Sequence, residues 1–367
     1  MTMRDRVVAP RRTSRQIMVG DVAIGGDAPI AVQSMTNTDT RDVDATVAQI
    51  ARIAEAGADL VRVSVPDPES ARALRDILPQ VTIPVIADIH FSYKMALAAL
   101  EAGVHGLRLN PGNIGARSRV ERVVAAAKER GISIRIGVNA GSLEKELQEK
   151  YGEPCAAAMV DSALGHIRIL EEMDFNLIKV SLKASNIPMT VAAYRLLAGR
   201  VDYPLHLGIT ESGSRFSGTI KSSIGLGLLL ADGIGDTIRV SLADQPEHEV
   251  RVGFEILKAL GLRHRGVNLI ACPSCARQKF DVIGRVAELE RRLAHIHEKI
   301  DVAVIGCVVN GPGEAREAAI GITGGKPEHT LFRDGERCGK VREAEMIETI
   351  VAEVEARAAA MRAAKRR

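Results

Sequence analysis

The sequence contains no tryptophan, and aromatic residues occupy only 3% of its 367 positions. The core must therefore be built from valine, isoleucine, leucine and alanine, which suits parallel strands covered by helices. An excess of one charge is also lacking, because 49 basic residues stand against 46 acidic ones. Composition thus gives no general reason to expect nucleic acid or a membrane as a partner.

Long apolar runs and a secretory signal are missing as well. The longest apolar stretch, Ile224–Ala231, contains two glycines and is far shorter than the roughly 18 residues of a membrane span. The basic clusters at Arg4–Arg15 and Arg362–Arg367 are expected to be solvated tails rather than a nucleic-acid-binding arm. The N-terminus has no apolar h-region. We therefore expect a cytoplasmic protein.

Cysteine is sparse, with five residues in the whole chain. An odd and widely spaced set argues against a disulfide scaffold. A reducing compartment and a metal site are the better interpretation of these thiols.

Short apolar runs alternate with amphipathic segments through the first 260 positions or so. The segment with Val120, Val123, Val124 and Ala127 on one face predicts a helix. Five glycines are expected to end such helices, namely Gly57, Gly103, Gly131, Gly233 and Gly261. The runs predict parallel strands buried on both faces, at Ala31–Met35, Leu60–Val65, Pro84–His90, Gly106–Asn110, Ser133–Asn139, Leu177–Ala184, Leu205–Thr210 and Thr237–Ala243.

Eight strands that are each followed by a helix predict a (β/α)8 TIM barrel. A doubly wound sheet alternates in the same way, but the count of eight and the position of the polar residues favour the barrel. The pattern changes after Gly261, so we assign residues 1–264 to the barrel and 265–367 to a small α+β domain. The elements expected there are Val267–Ala271, Val282–Leu293, Val302–Ile305, Ile320–Thr323, His329–Arg333 and a helix from Glu343 to about Arg362.

Polar residues lie at the carboxyl ends of the expected barrel strands, where barrel enzymes hold their substrates. Five cations come from five different strands: Arg62, Arg108, Arg135, Lys183 and Arg239. Burying them together without anions would be costly, and arginine suits phosphate oxygens, so a diphosphate is the expected ligand. The alternative is neutralisation by Asp88 and Glu211.

Three residues near these ends could handle protons or recognise hydroxyl groups: Asp88, His90 and Glu211. Glu211 is the strongest acid/base candidate, because it follows a strand end and lies between Thr210 and Ser212.

Three cysteines of the small domain, Cys272, Cys275 and Cys307, follow predicted strands. Three thiolates suggest a [4Fe–4S] cluster with one distinctive iron, while structural zinc fits the spacing equally well. The adjacent polar turn with Asn310 and Glu314 favours a catalytic site. Two further cysteines have no assigned role: Cys155, expected to be a buried thiol near a helix start, and Cys338, in a polar stretch.

Several longer motifs resemble those of the 4-hydroxy-3-methylbut-2-enyl diphosphate synthase family, in its short two-domain bacterial form, over about residues 11 to 355. They are Arg-Gln-Ile-Met-Val-Gly (15–20), Gln-Ser-Met-Thr-Asn-Thr (33–38), Ala-Asp-Ile-His-Phe (87–91), Asn-Pro-Gly-Asn-Ile-Gly (110–115), Gly-Val-Asn-Ala-Gly-Ser-Leu (137–143), Cys-Pro-Ser-Cys (272–275) and Gly-Cys-Val-Val-Asn-Gly-Pro-Gly-Glu (306–314).

This resemblance implies an activity. The substrate would be 2-C-methyl-D-erythritol 2,4-cyclodiphosphate, and two electrons delivered through a [4Fe–4S] cluster would open its ring and remove an oxygen as water. The product would be the linear allylic diphosphate. Flavodoxin or ferredoxin would supply the electrons. The family forms homodimers in which the cluster domain of one chain closes over the barrel of the other.

The resemblance also implies roles for individual residues. The matching positions are the cluster ligands Cys272, Cys275, Cys307 and Glu314; the diphosphate-binding Arg62, Arg108, Arg135, Lys183 and Ser241; the substrate contacts Asp88, His90, Asn139 and Arg239; the acid/base Glu211; and Asn310 beside the cluster.

Two other functions remain compatible with the residues alone. One is a barrel lyase or transferase for phosphorylated substrates that carries a structural zinc. The other is an iron–sulfur or redox sensor that binds RNA through its basic tails, although those tails lack the interleaved aromatic residues that stack on bases.

Overall fold

The computed structural model describes residues 8–309 and 311–365. The chain divides between Arg263 and His264 into two compact units, and each is described here by itself. Within the described ranges, no helix combines the length and the apolar character that crossing a membrane requires.

The first unit begins with a hairpin that the sequence pattern did not reveal. Strands β1 (Ile17–Val19) and β2 (Val22–Ile24) pair antiparallel. The hairpin packs Ile17 and Val19 against Leu60 and Ile86 of the barrel strands. Because Leu60 starts its strand, the hairpin covers the amino-terminal end of the barrel.

Eight parallel strands form the barrel, in the spatial order β8-β7-β6-β5-β4-β3-β10-β9. A parallel bridge between Val180 and Leu205 joins the two ends of this order. The prediction of a TIM barrel followed by a small α+β domain is confirmed. The strands are β3 (Ala31–Met35), β4 (Leu60–Ser64), β5 (Val85–Asp88), β6 (Gly106–Leu109), β7 (Ser133–Asn139), β8 (Ile178–Lys183), β9 (His206–Leu207) and β10 (Thr237–Ile238).

The last two strands are much shorter than expected. Strand β9 ends at Leu207 and β10 ends at Ile238. Beyond them, backbone groups begin to bond with side chains, as when Leu242 donates its N–H to Oε1 of Glu249 at 3.0 Å. Regular strand pairing therefore stops at the carboxyl ends of β9 and β10, and the predicted substrate residues follow there.

The helices of this unit follow the strands and cover the barrel. Helix α5 buries Val120, Val123, Val124 and Ala127, as predicted. The five expected terminal glycines all have positive φ, from 65° at Gly131 to 108° at Gly57. The helices are α1 (Val43–Ala56), α2 (Pro68–Ile77), α3 (Tyr93–Ala102), α4 (Pro111–Ile114), α5 (Arg117–Glu129), α6 (Lys145–Tyr151), α7 (Ala156–Glu171), α8 (Ile187–Ala198), α9 (Arg215–Ala231) and α10 (Pro246–Ala259).

The expectation of a solvated N-terminal tail is wrong for its described part. Arg11 pairs with the buried Asp236 at 2.7 Å. Arg12 donates to the carbonyl oxygens of Val201 and Tyr203, both at 2.6 Å. These arginines fasten the chain start to the barrel wall. Residues 1–7, with the first arginines of that cluster, and 366–367 lie outside the described residues.

The second unit is a mixed five-stranded sheet in the order β11 to β15. Its first three strands are parallel and its last two are antiparallel to their neighbours. The elements are β11 (Val267–Ala271), α11 (Val282–Arg292), β12 (Ile300–Ile305), α12 (Gly311–Glu317), β13 (Ile320–Thr323), β14 (His329–Arg333), β15 (Glu336–Val341) and α13 (Met346–Lys365). Strand β15 and helix α12 were not foreseen. The five residues of β15 before Val341 are exposed, which leaves no apolar pattern to detect.

Candidate active site

Adjacent barrel strands bring Asp88, Arg108 and Arg135 side by side. Asp88 is the register partner of Arg108, and Arg108 is the register partner of Arg135. Register partners on parallel strands extend to the same side of the sheet, so their side chains share one region. Asp88 Oδ1 lies 3.2 Å from Arg108 NH1.

Asp88 is the central acid of this group. Its Oδ2 lies 3.5 Å from Arg62 Nε and 3.8 Å from His90 Nε2. Burial raises the pKa of the carboxyl group, but the charges of Arg62 and Arg108 outweigh burial and lower it overall. Asp88 is therefore a charged counter-ion rather than a proton donor in this state.

A thioether and a second carboxylate complete the chain of contacts. Met35 Sδ accepts hydrogen bonds from two nitrogens of Arg62, Nε at 3.2 Å and Nη2 at 2.9 Å. It also accepts one from Nη1 of Arg239 at 3.7 Å. Arg239 Nε lies 3.4 Å from Glu249 Oε2. A continuous set of contacts thus connects Asp88 through Arg62, Met35 and Arg239 to Glu249.

The remaining two cations are more deeply buried and have less compensation. Arg135 NH1 donates to Ser181 Oγ at 2.6 Å, while its Nε and NH2 have no hydrogen-bond partner among the residues described. Burial, followed by Arg62 and Arg108, holds the pKa of Arg135 well below its ordinary value. Burial, followed by Arg135, does the same for Lys183. A bound anion would relieve both effects.

Two glycines let these cations approach the barrel backbone. A Cβ at Gly137 would lie 2.9 Å from Arg108 Nε. A Cβ at Gly208 would lie 2.8 Å from Lys183 Nζ. Any larger residue would displace the charged groups, so both positions need glycine for the site.

The other predicted substrate residues surround this cationic group at different depths. Asn139 ends β7 and is the register partner of Lys183. Ser241 is partly buried in the loop after β10, and His90 is exposed just beyond β5. Glu211 is also exposed and has a φ of 54°, an αL conformation that costs a non-glycine residue on the order of 1 kcal/mol. Strain of this kind accumulates at functional sites.

Sequence reasoning missed three residues that contact the predicted ones, namely Met35, Ser181 and Glu249. Ser181 lies two positions from Lys183 along β8, so strand alternation could have identified it. Glu249 belongs to helix α10 and not to a strand end. No local pattern marked it.

The small domain brings two of its thiols to neighbouring strand ends. Cys272 directly follows β11 and Cys307 lies two positions beyond β12, and these strands pair in parallel. Gly306 donates its N–H to Sγ of Cys272 at 3.2 Å. Cys307 is buried, with 6% of its surface exposed.

The remaining predicted ligands are less closely grouped. Cys275 and Glu314 are both exposed, and Glu314 lies in the first turn of α12. Asn310 lies outside the described residues. Across residues 8–309 and 311–365, no three histidine, cysteine or carboxylate side chains are close enough together to hold a metal ion.

The two remaining cysteines have separate positions. Cys155 is half-buried rather than buried, and it caps α7 by accepting from Ala158 N at 3.5 Å. Cys338 is exposed on β15.

The fold and the cation-rich strand ends define a class: TIM barrels with clustered cations at their strand ends and an added cysteine-bearing domain. Family models narrow this class. Residues 14–254 match the GcpE TIM-barrel domain, and residues 268–356 match the GcpE protein C-terminal domain. The chain belongs to the GcpE family.

Curated relatives agree with this assignment. A 4-hydroxy-3-methylbut-2-en-1-yl diphosphate synthase (flavodoxin) from Magnetococcus marinus is 64% identical over 359 residues, covering 98% of this chain and 97% of the relative. The enzyme of the same name from Geobacter sulfurreducens is 65% identical over 342 residues, covering 93% and 97%.

Two solved structures are similar to about two thirds of this chain. Dihydropteroate synthase from Xanthomonas albilineans, in complex with 7,8-dihydropteroate, has a TM-score of 0.50 at 16% identity and covers 68% of this chain and 98% of its own. The corresponding enzyme from Stenotrophomonas maltophilia, with imidazole in its active site, has the same TM-score and identity, covering 68% and 97%. At this identity the likeness concerns the fold only.

Proposed function

We propose that this chain converts 2-C-methyl-D-erythritol 2,4-cyclodiphosphate into (E)-4-hydroxy-3-methylbut-2-enyl diphosphate, a two-electron reductive ring opening in isoprenoid biosynthesis. The observation that carries the proposal is the group of cations at the barrel strand ends of a GcpE-family chain. Arg135 and Lys183 are buried there with their pKa values lowered. A cyclic diphosphate carries the negative charge that would neutralise this group of cations.

The barrel residues would bind and orient the substrate. Arginine forks and the Lys183 ammonium group suit the two phosphoryl groups, with Ser241 adding a hydroxyl donor. The full set proposed for binding is Arg62, Asp88, His90, Arg108, Arg135, Asn139, Lys183, Arg239 and Ser241. Asp88 would keep Arg62 and Arg108 in place through the contacts at 3.5 and 3.2 Å.

Glu211 would serve as the acid/base residue. Ring opening breaks a C–O bond and leaves the diphosphate on the product, while a separate hydroxyl group departs as water, so a proton must reach that hydroxyl oxygen. Glu211 is exposed, follows β9 and occupies a strained backbone position. These features support a carboxyl group that exchanges protons with solvent at the edge of the anion site.

The small domain would hold a [4Fe–4S] cluster through Cys272, Cys275, Cys307 and Glu314, with Asn310 beside it. The donor set fits such a group, because thiolates are the usual ligands and an N–H to a ligating sulfur tunes its potential. Gly306 already provides such an N–H to Cys272. When bound, the cluster supplies electrons one at a time, which two-electron reduction by a one-electron donor requires.

Flavodoxin or ferredoxin is the proposed electron donor, and the cytoplasm is the proposed compartment, because reduced thiolate ligands need a reducing environment. The word flavodoxin in the names of the curated relatives supports the donor.

We also propose a homodimer in which the cluster domain of one chain closes over the barrel of its partner. Two exposed apolar features support an association. Helix α9 exposes Phe216, Ile220, Ile224 and Leu228 at four-residue intervals, with exposures of 79%, 44%, 51% and 45%. Val308 and Val309, next to Cys307, are 57% and 63% exposed. Apolar patches of this kind mark contact surfaces.

Iron and acid-labile sulfide analysis of anaerobically purified protein tests this function, together with electron paramagnetic resonance after dithionite and turnover of the cyclodiphosphate. About four irons per chain, a reducible signal and formation of the allylic diphosphate are expected. One zinc without sulfide would indicate a structural metal and reject the reductase. A cluster without turnover, in a protein that binds RNA, would favour the sensor.

A further inference from the structure

Glu249 contacts three different parts of the barrel with one carboxylate. It lies in the first turn of α10 and is 4% exposed. Its Oε2 accepts from Ser34 Oγ on β3 at 3.1 Å, and its Oε1 accepts from Leu242 N in the loop after β10 at 3.0 Å. Arg239, which follows β10, contacts both oxygens at 3.4 Å.

These contacts determine where two candidate substrate residues lie. Arg239 is held from one side by Glu249 and from the other by Met35 Sδ at 3.7 Å. Leu242 directly follows Ser241, so its bond to Glu249 also fixes the backbone that carries the Ser241 hydroxyl. One carboxylate on a helix therefore orients two donors at the strand ends.

The charge of Glu249 suits this purpose. Arg239 has 16% of its side chain exposed and Glu249 has 5%, so the pair is shielded from water and its attraction is screened little. The distances of 3.4 Å between the Arg239 nitrogens and the Glu249 carboxylate oxygens are long for hydrogen bonds. Such a pair orients the guanidinium while leaving its N–H groups available to a stronger acceptor.

We propose that Glu249 is a positioning residue for diphosphate binding, which acts through Arg239 and the loop that carries Ser241. This inference rests on the proposed function, because it takes Arg239 to bind a phosphoryl group. Glu249 itself does not touch the ligand. Its removal should weaken diphosphate binding only as far as Arg239 and Ser241 contribute to that binding.

A double-mutant cycle on the full chain tests the proposal, with inorganic pyrophosphate as the probe in anaerobic calorimetric titrations. The variants are Glu249→Gln, Arg239→Met and both together. We expect each single change to raise the Kd about tenfold or more. The Kd of the double variant should rise by clearly less than the product of the two single effects, because both changes act on Arg239. Glu255→Gln is the matched control, since Glu255 lies on the same helix and is 66% exposed; it should bind as the unchanged chain does.

Two results would overturn the inference: pyrophosphate binding unchanged in Glu249→Gln, or effects of the two changes that multiply. A merely structural role for Glu249 predicts the second, because loss of helix docking would add to loss of Arg239. If Arg239→Met leaves the affinity unchanged, Arg239 does not bind the anion and the inference fails, while the affinity of Arg135→Met still tests the proposed anion site.

Glu249→Asp covers the case in which the glutamine variant does not fold. Aspartate keeps the charge but withdraws it from Arg239 and Leu242. We expect folded protein, a smaller loss of affinity than with glutamine, and a smaller loss in the Arg239→Met background than in the unchanged chain. Unchanged affinity in this variant would also contradict the proposal.

Discussion

Lys179 and Arg135 are register partners on neighbouring barrel strands, and both are almost completely buried. Lys179 Nζ has no hydrogen-bond partner among the described residues. Burial, followed by the charge of Arg135 and opposed by Asp236, lowers the pKa of Lys179 from 10.5 to about 7. His206 is also buried, and burial, followed by the charges of Arg135, Lys183 and Lys179, holds its pKa well below the ordinary value.

This relationship predicts that Lys179→Met stabilises the protein at neutral pH. Above the unfolded pKa of 10.5 both states hold a neutral amine. As the pH falls below 10.5 towards the folded pKa of about 7, Lys179 takes up a proton in the unfolded state but not in the folded state. This stabilises the unfolded state and so lowers the free energy of unfolding. This pKa shift limits the loss in the free energy of unfolding to about 5 kcal/mol. The loss no longer changes with pH below the folded pKa.

Urea denaturation at pH 7 and at pH 10 measures this effect. The free energy of unfolding of Lys179→Met should exceed that of the unchanged chain by a few kcal/mol at pH 7, and by clearly less at pH 10. Lys221→Met, at an exposed position of α9, is the control and should change neither value. A difference that does not depend on pH would contradict the assignment of the penalty to Lys179 ionisation.

Arg135→Met should separate stability from binding. Removing a buried charge with few partners should not lower the free energy of unfolding. The Kd for pyrophosphate should nevertheless rise about tenfold or more, because a charged donor to the anion is lost. Calorimetric titration and urea denaturation of the same preparation measure both quantities. Lower stability with normal affinity would mean that Arg135 is structural.

Cys307→Ser should lose the cluster and the activity while the barrel stays folded. A serine oxygen is a poor substitute for a thiolate ligand of iron, and the barrel has a separate core. Iron content, turnover and pyrophosphate affinity are the measurements. Cys338→Ser, at an exposed strand position, is the matched control and should keep all three. Full iron and turnover in Cys307→Ser would remove this residue from the ligand set.

Glu211→Gln should bind pyrophosphate normally but turn over about a hundredfold more slowly or worse, as expected for loss of an acid/base group. Glutamine keeps the size and the backbone requirement of the position, where φ is 54°. Steady-state kinetics and titration together distinguish the two effects. Unchanged turnover would remove Glu211 from the acid/base role.

Ile224→Lys should dissociate the proposed homodimer if the apolar face of α9 contributes to it. A lysine in the middle of this face would bring a charge into a dry contact. Sedimentation velocity gives the mass. Met18→Lys is the control, because Met18 is comparably exposed at 44% but lies on the β1–β2 hairpin and not on α9. A dimer that survives Ile224→Lys would exclude this face.

The sequence predicted most of the barrel because its strands are buried on both faces. The predicted strand Ser133–Asn139, for example, coincides with the observed one to the residue. The hairpin at Ile17–Ile24 was not predicted, because three-residue strands with one polar turn show no clear hydrophobic period. Strand β15 escaped because an exposed strand carries no apolar alternation.

The site was predicted less completely than the fold. Strand-end position identifies Asp88 and Arg108, because a barrel brings all its strand ends together. Glu249 approaches from a helix, and Lys179 lies four positions before the end of β8, so neither is marked by position along the sequence. The C-x-x-C spacing suggests Cys275 as a ligand and the family resemblance suggests Glu314, but local backbone geometry alone does not bring them beside Cys272.

The pairing of Arg11 with Asp236 has a consequence for biosynthesis. The two residues are 225 positions apart, and Asp236 also accepts from Ser14 Oγ and Leu205 N at 2.9 and 2.7 Å. At typical elongation rates, roughly 10 to 45 s pass between the synthesis of the two partners. The segment that contains Arg11 is therefore synthesised long before Asp236, and the ion pair between them can form only when the last barrel strand emerges from the ribosome.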